Sequence, residues 1–355
     1  MPKPQVPESL RFDPESFGEI EATAFRELVY AHYRIAGRSF PWRETRDPWA
    51  ILVSEIMLQQ TQTDRVVGKY LAWMERFPTP SALAEAPLSE LLSFWSGLGY
   101  NRRALSLARA AALVSERGGS VPDTEEALLE LPGVGPYTAR AVLAFAFGIP
   151  TAFIETNIRS VFLHHFFTAE TGVSDARIRP LVEKSLDRAD PRSWYYALMD
   201  YGVEIKRRFG NPNVRSGTYA KQSPFADSNR RIRGALLREL CGFPPEVIDV
   251  AQRELFAAER SPGSGDSFGQ LESDRAEGGE AQSSPTPKRR SRERAARMAA
   301  LASASASRSA DELAAALPFA RERVEAALFE LVNESFVVCV DGRYLIRDSA
   351  TFKRR

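Results

Sequence analysis

The sequence predicts an all-α protein that ends in a small module of helices and a hairpin. Three observations carry this reading. Between about Glu21 and Arg238, apolar residues recur at helical spacing. Short Gly- and Pro-containing breaks such as Pro78-Thr-Pro80, Gly97-Leu-Gly99 and Gly118-Gly119 separate the runs. No alternating strand pattern of useful length occurs before residue 335.

The elements follow in order. Residues 1–19 read as an N-terminal extension and residues 20–238 as the main helical domain. Within it, Asp64–Phe77 places Val66, Val67, Tyr70, Leu71 and Met74 on one helix face. Leu88–Trp95 and Ala104–Val114 repeat that pattern. Residues 239–290 read as a linker. The part from Ser261 to Pro287 is so rich in Gly, Ser, Pro, Glu and Gln that it is expected to be disordered. Residues 291–350 form the C-terminal module. Ser309-Ala-Asp-Glu312 can cap a helix through Leu317, a second helix fits Phe319–Asn333, and Asp341-Gly342 turns a hairpin between Phe336–Val340 and Arg343–Ile346. Helix, helix, helix, hairpin is the order of a winged helix.

The chain has 355 residues, room for two or three domains, and 44% of them are hydrophobic. Its 47 basic and 46 acidic residues nearly cancel, so a nucleic-acid surface has to be local rather than global. Only Cys241 and Cys339 are present, which excludes a disulfide framework and a four-thiolate metal site within one chain. Met1-Pro-Lys-Pro lacks a signal pattern, and no apolar run of about 18 residues is present to span a membrane.

Two strings carry chemistry. In Leu131-Pro-Gly-Val-Gly-Pro-Tyr-Thr-Ala139, two glycines one residue apart permit a tight turn that exposes the amides of Gly133, Val134 and Gly135. A helix opening near Pro136 adds its dipole, so the segment suits a phosphate whatever the base. Ser54-Glu-Ile-Met-Leu-Gln-Gln-Thr-Gln62 lies in a helical stretch beginning near Trp49, with Glu55 and Gln59 on one face. A glutamate among Ile51, Leu52, Ile56, Met57 and Leu58 should be desolvated, which raises its pKa and makes it a general acid. The amides of Gln59, Gln60 and Gln62 suit base edges in an opened duplex.

These strings resemble the helix-hairpin-helix DNA glycosylases, and SEIMLQQTQ resembles the active-site signature of their MutY-type, adenine-removing members. The resemblance covers roughly residues 35–235 and includes Phe40-Pro-Trp-Arg43 and Asp47-Pro48. It implies an HhH-GPD glycosylase domain of two helical lobes, with Glu55 protonating adenine and Gln60 near the orphan base. Tyr100, in Trp95-Ser-Gly-Leu-Gly-Tyr-Asn101, would wedge into the stack. Tyr137 stands where lyase members carry a lysine, so simple hydrolysis is expected. The resemblance also places Asn157 and Arg159 at the family's Asn and basic positions.

The sequence departs from the family in three places. Glu155 occupies the position of an aspartate whose carboxylate stabilises positive charge on the sugar; a helix-capping role for Glu155 is the alternative. The segment after Trp194, through Lys206, Lys221 and Asn229–Arg233, lacks the cysteines of the usual iron–sulfur cluster and is rich in basic residues suited to phosphate. The C-terminal module is too short for a domain that recognises 8-oxoguanine. The expected protein is therefore a monofunctional, cofactor-free and metal-free glycosylase. It would act as a monomer in the cytoplasm, associated with the nucleoid, on double-stranded DNA holding a mispaired or damaged base. A mismatch thymine or uracil glycosylase and a non-catalytic DNA-binding regulator are the alternatives. His164 and His165, adjacent on a helix, suit packing and surface roles rather than metal ligation.

Overall fold

The computed structural model describes residues 10–219, 228–242 and 307–347. The described chain is predominantly helical, and it divides into two compact units. One runs up to Ala84 and from Arg102 to Ser228; the other contains Glu85–Asn101 and the chain from Asn229 onward.

The first unit is built around α2 (Pro48–Leu58). Every residue from Trp49 to Met57 is buried, as expected of a helix that is apolar on all sides. Asp47 caps it by accepting from the Trp49 N–H, and Pro48 supplies a preset first turn. Around it lie α3 (Thr63–Arg76), α6 (Arg102–Glu116) and α8 (Pro136–Val142), which continues into a π-helical turn over Leu143–Phe147. The short helices α4 (Pro80–Ala84) and α7 (Glu125–Leu129) pack on α6 and α8 respectively.

A second cluster in this unit joins α1 (Glu19–Ala36), α9 (Thr156–His165), α10 (Asp175–Ser185) and α11 (Pro191–Phe209). Phe12, Phe17, Phe25, Phe162, Phe166 and Trp194 interlock there, mostly edge to face. Residues 10–18 are thus part of this core rather than an extension, and the Phe12 N–H donates to the His165 carbonyl at 3.0 Å. His164 and His165 are both buried, and neither is a surface residue. His165 bridges the Leu10 carbonyl and the Tyr201 hydroxyl, and burial pushes its pKa down to about 3.

In the second unit, α5 (Leu88–Trp95) leads into the Gly-rich turn ending at Asn101. Among the described residues, three further helices follow: α12 (Asn229–Leu240), α13 (Ala310–Ala316) and α14 (Arg321–Asn333). A three-stranded antiparallel sheet completes the unit, in the order β1 (Arg308–Ser309), β3 (Arg343–Ile346), β2 (Val337–Val340). The sequence missed β1 because two residues are too few to alternate. The capping box at Ser309 and Glu312 and the hairpin over Asp341-Gly342 are as expected. The boundary expected at residue 238 falls before α12 instead. Ile232, Leu236 and Leu240 bury the apolar face of α12, and Arg233 pairs with Glu330 of α14 and with Glu334 at its C-terminal end. The linker reading, residues 239–290, lies mostly outside the described residues.

Candidate active site

Glu55 sits in the third turn of α2 at 5% exposure, among apolar neighbours. Its Oε2 accepts a hydrogen bond from the Tyr137 hydroxyl at 3.0 Å. Burial raises its pKa from 4.5 to about 7, and the nearby charge of Glu155 adds to the rise. The Tyr137 hydrogen bond and the Arg43 charge oppose it. Glu55 therefore keeps a proton to higher pH than an ordinary carboxyl.

Tyr137 reaches Glu55 because the hairpin places it there. Val134 N–H closes a turn onto Leu131 O at 3.1 Å, with Gly133 at φ +84°. A Cβ on Gly133 would come within 2.7 Å of the Ser106 side chain, so only glycine fits. Gly135 then caps α8, Pro136 opens it, and Tyr137 projects from the first turn with Phe153 against its ring edge. Because Val134 N–H is engaged in the turn, it is not available as a phosphate donor. Gly133 and Gly135 N–H make no hydrogen bond among the described residues and remain the candidates.

Glu155 caps α9. One carboxylate oxygen accepts from the Asn157 and Ile158 N–H groups at 2.6 and 2.8 Å, and the other from Asn157 Nδ2 at 3.1 Å. The capping role foreseen as an alternative is thus present, and it aims the carboxylate at a helix N-terminus. Burial raises the Glu155 pKa, against the pull of those amides and of Lys206 and Arg159. Glu155 and Tyr137 are partly exposed while Glu55 is buried, so the site opens to solvent on their side.

The remaining sequence candidates divide. α2 ends at Leu58, so Gln59 does not extend its face. Arg103 turns the chain there by donating to the Ile56 and Met57 carbonyls, and Gln59 donates to Thr138 of α8. Gln60, exposed and at φ +53°, and the exposed Gln62 lie on the loop beyond. Arg159 is held bidentately by Asp175 at 2.7 Å, which leaves little of it for DNA. Lys221 lies outside the described residues. Tyr100, in the second unit, has φ +49° and accepts a 2.7 Å hydrogen bond from Arg230, whose guanidinium lies over its ring.

Three groups make contacts that sequence reasoning did not assign. Arg43 stacks on Tyr196, 4.4 Å from the ring centroid, while Asp200 holds it at 2.8 and 2.9 Å. Lys206 donates to Asn157 Oδ1 at 2.8 Å. The resembling FPWR string marked Arg43; nothing local marked its partner Asp200 or the position of Lys206.

The iron–sulfur cluster usual in this family does not fit the chain. The sequence supplies two thiols, Cys241 buried and Cys339 exposed, and the described residues include no group of His, Cys, Asp or Glu that could hold a metal.

Residues 53–186 match the model of the HhH-GPD superfamily of base excision DNA repair proteins. An adenine DNA glycosylase of Mycolicibacterium smegmatis is 37% identical over 224 residues, 58% of this chain and 76% of the relative. An adenine DNA glycosylase of Mycobacterium tuberculosis is 47% identical over 135 residues, 38% of this chain and 44% of the relative. Among solved structures, a thermostable thymine-DNA glycosylase aligns with TM-score 0.48 at 28% identity, covering 55% of this chain and 92% of that one.

Proposed function

The chain belongs to the HhH-GPD superfamily of base excision DNA repair proteins, and from that premise we propose that it is an adenine DNA glycosylase. Its substrate is adenine mispaired in duplex DNA, opposite 8-oxoguanine or guanine. The observation that carries the reading is the buried Glu55 carboxyl, hydrogen-bonded by Tyr137 and raised in pKa to about 7.

Adenine is a poor leaving group as an anion and a good one when protonated. With the nucleotide swung out of the helix, Glu55 gives its proton to a purine ring nitrogen. The bond between the sugar C1′ and the base then breaks with its electron pair going to the purine. The Glu155 carboxylate stabilises the positive charge left on the sugar. Asn157 orients that carboxylate, a water adds at C1′ and loses a proton, and Glu55 is reprotonated from solvent. Tyr137 holds the Glu55 carboxyl in place and has no amine with which to attack the sugar, so the product is an intact abasic strand. The Gly133 and Gly135 amides hold a phosphate, Gln60 faces the orphan base, and Tyr100 props the opened stack.

Single-turnover base release from an A·8-oxoguanine duplex, followed by alkali to cleave the abasic product, tests the reading. Release from A·8-oxoguanine or A·G by the native chain and none by Glu55→Gln is the expected result. Release from T·G or U·G duplexes alone would transfer the chain to a pyrimidine-specific role. Binding without release from any duplex would make it a passive DNA binder.

A further inference from the structure

Resting on the glycosylase reading, we infer that Lys206 is the positioning residue that keeps Glu155 ionised, acting through the side-chain amide of Asn157.

The geometry begins at Gly202. A Cβ there would lie 2.3 Å from the Asn157 carbonyl oxygen, so α11 approaches the first turn of α9 more closely than any other residue would allow. Lys206 is one helical turn beyond Gly202 and lies on the same face. Its ammonium therefore reaches Asn157 Oδ1, at 2.8 Å. The same amide turns its Nδ2 to Glu155 at 3.1 Å. The ammonium thus decides which way the amide points. With a donor fixed on Oδ1, Nδ2 must face the carboxylate; without it, the amide can reverse and set oxygen against oxygen.

Charge makes the same case. Glu155 is faced by Glu55 of α2, Tyr137 of α8, Arg159 of α9 and Lys206 of α11. Glu55 and Tyr137 do not favour an anion beside them. Arg159 is bound by Asp175 through two donors. Arg207 and Arg208, next to Lys206, are paired with Glu204. Lys206 makes no ion pair among the described residues, although it is half-buried. Burial lowers its pKa and Glu155 opposes that fall, as expected of a cation and anion that stabilise each other through one amide.

The test is the pH dependence of single-turnover adenine release. Activity needs Glu155 ionised and Glu55 protonated, so the acid limb reports Glu155 and the alkaline limb Glu55. Lys206→Met removes donor and charge together and should move the acid limb up by about one pH unit, a roughly tenfold loss of rate on that side; Lys206→Gln should move it by less, and both should leave the alkaline limb in place. Lys206→Gln keeps a donor for Asn157 and removes only the charge, so it separates charge from orientation. Lys206→Arg should restore most of the wild-type profile. A uniform loss across pH with both limbs fixed would reduce Lys206 to packing and overturn the inference, as would an unchanged profile. A variant that melts early is replaced by the direct measurement: carbon-13 NMR titration of the Glu155 carboxyl, assigned with Glu155→Gln, in wild type and Lys206→Gln. That titration needs no catalysis. An active wild type with no shift at Glu155 sinks the inference alone, whereas a shift without base release from any duplex sinks the glycosylase reading alone.

Discussion

The two glutamates of the site are the same residue in opposite settings. Glu55 lies inside a helix, where the backbone amides are already engaged, and its recorded hydrogen bond is from the Tyr137 hydroxyl. Glu155 lies at a helix N-terminus and collects three N–H donors with a lysine beyond them. Burial lifts both pKa values, but one hydroxyl opposes it at Glu55 where three N–H groups oppose it at Glu155. Position relative to a helix decides how many donors oppose the effect of burial on a carboxyl.

The strongest way to break this contrast is to remove the proton. Glu55→Gln keeps the shape and the Tyr137 contact, and should reduce single-turnover adenine release by about 10²–10⁴-fold, the usual contribution of a general acid. Equal rates for the variant and the wild type would mean that the proton comes from elsewhere. Removing the charge comes next. Glu155→Gln should slow release by about 10²–10³-fold, and Glu155→Asp, which keeps charge and cap and loses only reach, should retain more activity than Glu155→Gln. The reverse order would make the cap alone the role of Glu155.

Stability sharpens the comparison from another side. A carboxyl whose pKa rises from 4.5 to about 7 on folding favours the fold below pH 4.5, and that advantage is lost as pH climbs to about 7. Glu55→Gln removes the dependence. The variant should therefore be more stable than wild type at pH 8 by about 2–3 kcal/mol, with the gap closing towards pH 4.5, as read by denaturant unfolding. A gap that stays constant with pH would mean that Glu55 is not desolvated. The smallest effect is expected at Tyr137. Its hydroxyl favours ionised Glu55, so Tyr137→Phe should raise the Glu55 pKa and move the alkaline limb of release upward. A downward move would reverse the sign assigned to that hydrogen bond.

Much of this was legible in one dimension because the groups are local. The Glu55 environment is written in its own helix, where apolar residues flank it on every side. The Gly133 turn, the Pro136 helix start, the Ser309 capping box and the C-terminal hairpin are all signals spanning fewer than about ten residues. The errors arose where a local pattern had a distant competitor. Gln59 continues the spacing of α2, but Arg103, 44 residues on, draws the chain out of the helix there. Arg159 stands at the family's basic position in the sequence, and only the fold brings Asp175 beside it. Residues 10–18 read as an appendage because the phenylalanines they pack against lie on α1 and α9.

The sequence by itself determined the helical class, the hairpin, and the buried helix glutamate proposed as the acid, because periodicity, glycine spacing and apolar flanks act through neighbouring residues. Tertiary structure alone decided how the second carboxylate is used. Glu155 meets Lys206 through Asn157 only because a glycine lets two helices, some fifty residues apart in the chain, close to backbone contact. Coulombic and hydrogen-bond energies depend on distance in space, and separation along the chain does not report it.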